Sequence, residues 1–193
     1  MNNEKISWQP GTQLAPVPAV LLGCGNAKGY SANLITVAWC GIINSDPAML
    51  SVSIRKERYS HVIISETGEF SCNIPVPSLA RAVDYCGVVS GRKVDKFKAC
   101  DLTALAGEKI SAPTVAECPL TLECKVRQVL ELGSHDLFLS EIVNVRVSAD
   151  FIDEKGHFDL AREGLLAYCH GGYYNLGEKL GTFGFSVKKN TGE

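Results

Sequence analysis

The sequence predicts a mainly β fold with a few short helices (α+β), an antiparallel barrel or sandwich with helices attached. Three observations carry this. Strand-like segments outnumber helical ones and follow one another through short connections. Apolar and polar residues alternate strictly in two places, with Leu50, Val52 and Ile54 against Ser51, Ser53 and Arg55, and again from Leu120 to Arg127. No regular strand–helix alternation occurs, which disfavours a doubly wound parallel sheet.

The elements follow in order. Pro16 and Pro18 lead into a short apolar strand, Val20 to Cys24, and Gly25 to Gly29 form a turn. Ser31 to Ile43 reads as one returning strand, broken by Asp46-Pro47. Met49 to Arg55 is a half-buried strand. Ser60 to Thr67 reads as a helix with Ser60 as N-cap and Gly68 just past its end. Phe70 to Ile74 is a strand stopped by Pro75 and Pro77, and Ser78 to Tyr85 a second short helix. The stretch 87–119 is irregular, with a helical turn at Asp95 to Cys100. Leu120 to Leu132 is a strand that Gly133-Ser134 turns into a further strand pair, His135 to Val147. Arg162 to Cys169 is expected as a short helix, and Gly171 to Phe185 as a Gly/Tyr-rich tail.

A chain of 193 residues with 46% apolar and 21% charged residues suits one globular domain, 1–193, with 1–10 and 189–193 as flexible tails. No apolar run is long enough to span a membrane, and the opening residues lack the apolar stretch of a secretory signal. The net charge of −2 offers no generally basic surface for a polyanion. The expectation is therefore a cytoplasmic protein that engages neither nucleic acid nor membrane. Eight cysteines occur without any C-x-x-C, and the nearest pair, Cys118 and Cys124, fits no common zinc or iron–sulfur spacing. Several fill apolar slots in strands, so they read as small buried hydrophobes in a reducing compartment, with no metal site.

Chemistry is concentrated in three segments. From Ser51 to His61, a strand presents Ser53 and Arg55, and Arg55, Lys56 and Arg58 precede a helix start at Ser60. Free N–H groups, a hydroxyl and an arginine fork suit a phosphate, although a capped helix with solvated basic residues reads the same. In the strand beginning at Asn33, alternation puts Asn33 and Trp39 on one face about 20 Å apart. An amide and an indole there suit a planar heteroaromatic ligand, although a core tryptophan and a turn asparagine read the same. On that reading Leu34, Thr36, Ala38 and Cys40 point inward, and Ile35, Val37 and Trp39 outward. Finally, Lys96 and His135 lie in irregular segments that suit closure over an anion, although solvated surface lysines and a turn histidine read the same. Neither G-x-S-x-G nor G-x-G-x-x-G is present.

The ordered set of segments resembles the flavin reductase-like, FMN-binding split-barrel family, and most closely its flavoredoxin branch. The carriers are N-L-I-T-V-A-W from Asn33, S-D-P from Ser45, S-V-S-I-R-K-E-R-Y-S-H from Ser51, E-T-G-E-F-S-C-N-I-P from Glu66, S-G-R-K-V-D-K-F from Ser90 and H-G-G-Y-Y-N-L-G-E from His170. They span Pro10 to Lys188. The resemblance implies a six-stranded antiparallel Greek-key split barrel, a homodimer, with FMN near the subunit interface. It implies that Asn33 and Trp39 line the isoalloxazine, that Ser53, Arg55 and Ser60 surround the phosphate, and that Lys96, His135 and Tyr168 also contact the flavin. Relatives often carry threonine in place of Ser60 and phenylalanine in place of Tyr168. The implied activity is an FMN-dependent oxidoreductase or electron carrier, fed by NAD(P)H or a ferredoxin-type protein, with the chemistry on the flavin and no catalytic side chain. A non-catalytic flavin-binding module and a cysteine-based metal or thiol protein are the alternatives from other classes.

Overall fold

Proline and glycine punctuation divides the chain into twelve strands and three α-helices over the described residues, 3–187, of the computed structural model. The predicted tail at 189–193 lies outside the described residues. Residues 3–15 carry no regular structure. Then come β1 (Val17–Pro18), β2 (Val20–Cys24), β3 (Asn33–Val37), β4 (Cys40–Ser45) and β5 (Ala48–Arg55). They are followed by α1 (Tyr59–Thr67), β6 (Glu69–Ile74), α2 (Ala80–Val88) and α3 (Lys96–Ala99). The rest is β-rich: β7 (Ala104–Leu105), β8 (Thr114–Val115), β9 (Leu120–Glu131), β10 (His135–Val147), β11 (Leu166–Cys169) and β12 (Gly172–Asn175).

Most strands stand where the sequence places them, and the departures have physical causes. The predicted strand Ser31 to Ile43 is two strands, because the chain leaves β3 at Ala38-Trp39 and starts β4 at the far edge of the same sheet. Ser60 is not the N-cap of α1: Arg58 holds that position without a side-chain cap, and Ser60 is buried in the first turn. Gly68 does end the helix in the left-handed conformation, its N–H donating to the Ile64 carbonyl. The helix expected over Arg162 to Cys169 is instead β11, which pairs with β12 inside the expected Gly/Tyr-rich tail. His135 to Val147 is one long strand rather than a pair. Its partner β9 follows it through two register shifts, the β-bulges that let long strands bend.

Seven antiparallel strands form the main sheet in the order β3-β2-β6-β9-β10-β5-β4. The resemblance implies six, and the split of the Ser31–Ile43 strand supplies the difference. The two edge strands, β3 and β4, are joined by only Ala38 and Trp39. Three Cα–Cα steps of 3.8 Å cannot exceed about 11 Å, so the sheet must curl until its edges nearly meet. The result is a barrel split between β3 and β4, and Ser53 N–H, donating to the Trp39 carbonyl at 2.9 Å, extends the β4–β5 register (Cys40 opposite Val52) one residue toward the split.

Apolar residues cover both faces of the curled sheet. Inside lie Leu22, Ile35, Val37, Val52, Phe70 and Phe138, with Ile63 and Ile64 of α1 plugging one end. Outside, Leu21 and Leu34 pack with Val83 and Cys86 of α2 and with Phe97 of α3. The expected facing of β3 is therefore reversed: Ile35 and Val37 point into the barrel and Leu34 points to the helices. Alternation distinguishes two faces but cannot say which is interior when both are buried. Each large side chain so buried contributes roughly 1.5–3 kcal/mol of transfer free energy.

Candidate functional site

The split between β3 and β4 opens onto two adjoining concavities that share Ile35 and Arg58. The larger, about 400 Å³, is walled by β3 and its exit at Thr36–Trp39, by Ser53 and Arg55 of β5, by His135 of β10, by α2, and by Tyr168 and Tyr173. The smaller, about 180 Å³, lies between the start of α1 (Arg58, Tyr59, Ser60), the loop Val89–Gly91 and Lys96.

Polar donors line the smaller cavity because three elements converge there. Asp95 caps α3 by accepting from the Lys98 N–H, which sets Lys96 in the first turn, pointing inward. The Lys96 ammonium is almost fully buried and donates to the carbonyls of Leu34 at 2.7 Å and Cys86 at 2.8 Å. Burial holds its pKa below the usual lysine range, and the charge of Arg58 adds to the effect. An ammonium carries three N–H groups; two donate to these carbonyls, and Lys96 is among the residues that line the smaller cavity. Behind it Asn33 is buried, its amide donating to Ser60 Oγ at 2.8 Å and, more weakly, to Cys24 Sγ at 3.6 Å. Gly91 lies directly on Asn33: a Cβ there would stand 1.9 Å from Asn33 Oδ1, so only glycine permits the approach.

Aromatic surfaces line the larger cleft. Trp39 and His135 stand with ring centroids 4.6 Å apart and planes inclined by 36°. His135 Nδ1 lies 2.9 Å from Ser134 Oγ. Burial, followed by the nearby charge of Arg55, holds His135 below the usual histidine range, which favours a neutral ring at pH 7. Across the cleft Tyr168 and Tyr173 meet edge to face at 5.4 Å. Burial and the Asp84 carboxylate push the Tyr173 phenol up to about 12. Arg58 crosses between the two concavities and donates to the Gly87 carbonyl, tying α1 to α2.

Residues 13–177 match the family model of the flavin reductase like domain. The chain belongs to the flavin reductase-like family. Its fold is similar to the flavoredoxin of Desulfovibrio vulgaris (Miyazaki F), at 32% identity and a TM-score of 0.87 over 96% of this chain and 100% of that one. A flavoredoxin from Methanosarcina acetivorans is 33% identical with a TM-score of 0.86, again over 96% and 100%. Among curated relatives, a ferric-chelate reductase (NAD(P)H) of Archaeoglobus fulgidus is 28% identical over 56% of this chain and 63% of its own length.

On this family scaffold the eight sequence-predicted residues fall into three groups. Trp39, Ser53, Arg55, His135 and Tyr168 line the larger cleft. Ser60 and Lys96 line the smaller cavity, so Ser60 keeps company with Lys96 rather than with Ser53 and Arg55. Asn33 is buried behind Ser60. The strand break at Ala38-Trp39 removes the continuous face on which Asn33 and Trp39 were expected. Of the basic run, Lys56 points elsewhere, pairing with Glu131 and Asp136. Asp84, Gly91 and Tyr173 also line the cavities but are not among the eight. Gly91 and Tyr173 stand in the S-G-R-K and H-G-G-Y-Y runs, whereas nothing in the sequence marks Asp84. Among the described residues no group of three or more His, Cys, Asp or Glu side chains could hold a metal, and no helix is long and apolar enough to cross a membrane.

Proposed function

We propose that this protein binds FMN in the joined concavities and transfers electrons through it. The observation that carries the reading is the buried Lys96, its ammonium donating to two carbonyls, in the lining of a cavity that shares Ile35 and Arg58 with a cleft of aromatic walls. The donor set fits the group. Lys96 and the Ser60 hydroxyl suit the electron-rich pyrimidine edge of an isoalloxazine, and Trp39 and His135 suit its faces. Arg55, exposed at the rim of the larger cleft beside Ser53, suits a phosphate that keeps part of its hydration. Bound FMN would supply the redox chemistry, which needs no catalytic side chain. The protein's part is to orient the ring, limit water, and hold a positive charge at Lys96 that favours the more negative, reduced cofactor.

Support for an oxidoreductase comes from the family and from the names of its members, two of them flavoredoxins and one a ferric-chelate reductase (NAD(P)H). The electron source we propose is NAD(P)H or a ferredoxin-type protein. Eight free cysteines suit a reducing compartment, and we place the protein in the cytoplasm. We also propose a homodimer. Ile42 and Ile43 on edge strand β4, Trp8 near the start, and Leu180, Phe183 and Phe185 near the end are all exposed. Apolar surface so extensive calls for a covering partner, and a second copy supplies it on both sides of a two-fold axis.

The test is direct. Purified protein should take up FMN stoichiometrically, and the bound flavin should bleach with NAD(P)H or with reduced ferredoxin under anaerobic conditions. Failure to bind flavin would end the proposal. Binding without reduction by either donor would leave a non-catalytic flavin module.

A further inference from the structure

Two cysteines stand sulfur to sulfur beside Lys96, which lines the smaller cavity. Cys86 is fully buried on α2, and Cys100 is half-buried just past the single turn of α3, with Sγ atoms 3.9 Å apart. Both are fastened to Lys96. The Cys86 carbonyl accepts from the Lys96 ammonium at 2.8 Å, and the Cys100 N–H donates to the Lys96 carbonyl at 3.1 Å. A disulfide needs about 2.05 Å between sulfurs, so they must close by roughly 2 Å, a step of the size that a side-chain rotation and a small shift of one helical turn provide.

We propose that Cys86 and Cys100 form a reversible disulfide whose closure draws α3 against α2 and displaces Lys96 at the cavity. The oxidant is a peroxide, small enough to reach a half-buried thiol. The Cys100 thiolate attacks one oxygen of hydrogen peroxide, the O–O bond breaks, and Cys100 becomes a sulfenic acid with release of hydroxide. Cys86 then gives up its proton, and its sulfur displaces the hydroxyl from Cys100 as water. In total two thiols and one hydrogen peroxide yield one disulfide and two waters. The order of attack follows from exposure. Cys86 is fully buried and Cys100 half-buried, so Cys100 meets the oxidant and Cys86 resolves it; burial and the neighbouring Cys100 sulfur push the Cys86 thiol up, against the Lys96 charge. A dithiol reductant restores the pair.

Trypsin separates the two sulfurs cleanly. Cleavage after Arg81, Arg92, Lys98 and Lys109 leaves Cys86 in peptide 82–92 and Cys100 in peptide 99–109, each with one cysteine. The purified protein, treated with a small molar excess of hydrogen peroxide and then alkylated, should yield these peptides linked. Dithiothreitol should release them, and Cys100→Ser and Cys86→Ala should each abolish the link. Over-oxidation of Cys100 with no linked peptide in folded protein would overturn the proposal, as would equal linkage among other cysteines. The effect at the cavity rests on the FMN reading above and is read separately. Oxidised protein should bind FMN about fivefold or more weakly than reduced protein, with no such change in Cys100→Ser. Linked peptides with unchanged FMN affinity would overturn the coupling to Lys96. A chain that binds no flavin but links the peptides would overturn the FMN reading alone.

Discussion

The indole of Trp39 and the imidazole of His135, 4.6 Å apart, join the break in the barrel wall to the first residue of β10. The contact follows from strand register: β3 ends at Val37, and Trp39, its carbonyl bonded to the Ser53 N–H, extends the β4–β5 pairing so that it shares the face of Ser53 and Arg55, the latter standing opposite His135. It leaves a large apolar ring 43% exposed at the mouth of the cleft, where a ligand face can cover it.

Trp39→Ala should therefore weaken FMN and riboflavin to the same extent, by about threefold to tenfold, the worth of an aromatic contact of roughly 0.5–1.5 kcal/mol. Fluorescence titration with both ligands measures this. A loss confined to FMN would place Trp39 at the phosphate end.

Arg55→Ala should do the opposite and weaken FMN far more than riboflavin. A charge-assisted hydrogen bond of roughly 1.5–3 kcal/mol predicts a tenfold to hundredfold loss. Its partner in the free protein is the exposed Glu57 at 3.6 Å, a weak ion pair that a phosphate readily replaces. Ser60→Ala should not share this bias, because Ser60 lies in the other cavity with Lys96. Equal losses of FMN and riboflavin in Arg55→Ala would exclude a phosphate contact.

How far the sequence foretells these placements depends on how local the cause is. Strands β2, β5, β6 and β9 are legible because alternation and flanking turns define them within a few residues. The split of β3 from β4 is not, since it comes from barrel closure, and nothing within Leu34–Ile43 forbids a continuous strand. The facing of Leu34 against Ile35 is hidden for the same reason: helices α2 and α3, more than forty residues later, decide which side is outside. The chemical character of Ser53, Arg55, Lys96 and His135 is readable from their motifs. The division of Ser60 from Arg55 into separate cavities requires the path of α1 and of the Gly91 loop.

Lys96→Met tests the charge at the smaller cavity. The variant should bind oxidised FMN nearly as well as the parent and reduced FMN about tenfold more weakly, the low end of a charged interaction of roughly 1.5–3 kcal/mol. The reduction potential of the bound flavin should then fall, as read by equilibration with redox dyes. Two carbonyls lose their donor, so a stability cost of roughly 1–3 kcal/mol at each accompanies the change. Lys96→Arg keeps a positive charge and should restore most of the potential if it folds. A potential unmoved in Lys96→Met would remove Lys96 from the flavin.

Asp136 sets the acid limb of stability. It begins the inward-facing series Asp136, Phe138 and Ser140 on β10, where a carboxylate can persist only with partners. His61 of α1 supplies one at 2.7 Å from Oδ2, and Lys56 supplies another at 3.2 Å from Oδ1, so the residue pins α1 to the end of the barrel. Burial by itself would raise its pKa, but the hydrogen bonds and charges of His61 and Lys56 outweigh it and hold the carboxyl below the usual aspartate range. The sign follows from linkage. A group with a depressed folded pKa stabilises fully above its unfolded value, near pH 4, and loses that contribution as the pH falls through the folded value. Asp136→Asn should therefore lower the urea midpoint at pH 7, and the gap to the parent should shrink at pH 3. Lys56→Met should shrink it in the same direction, since Lys56 shares the carboxylate with His61. A gap of the same size at both values would show that Asp136 acts through packing rather than charge, and α1 would then be held by Ile63 and Ile64 in the barrel end.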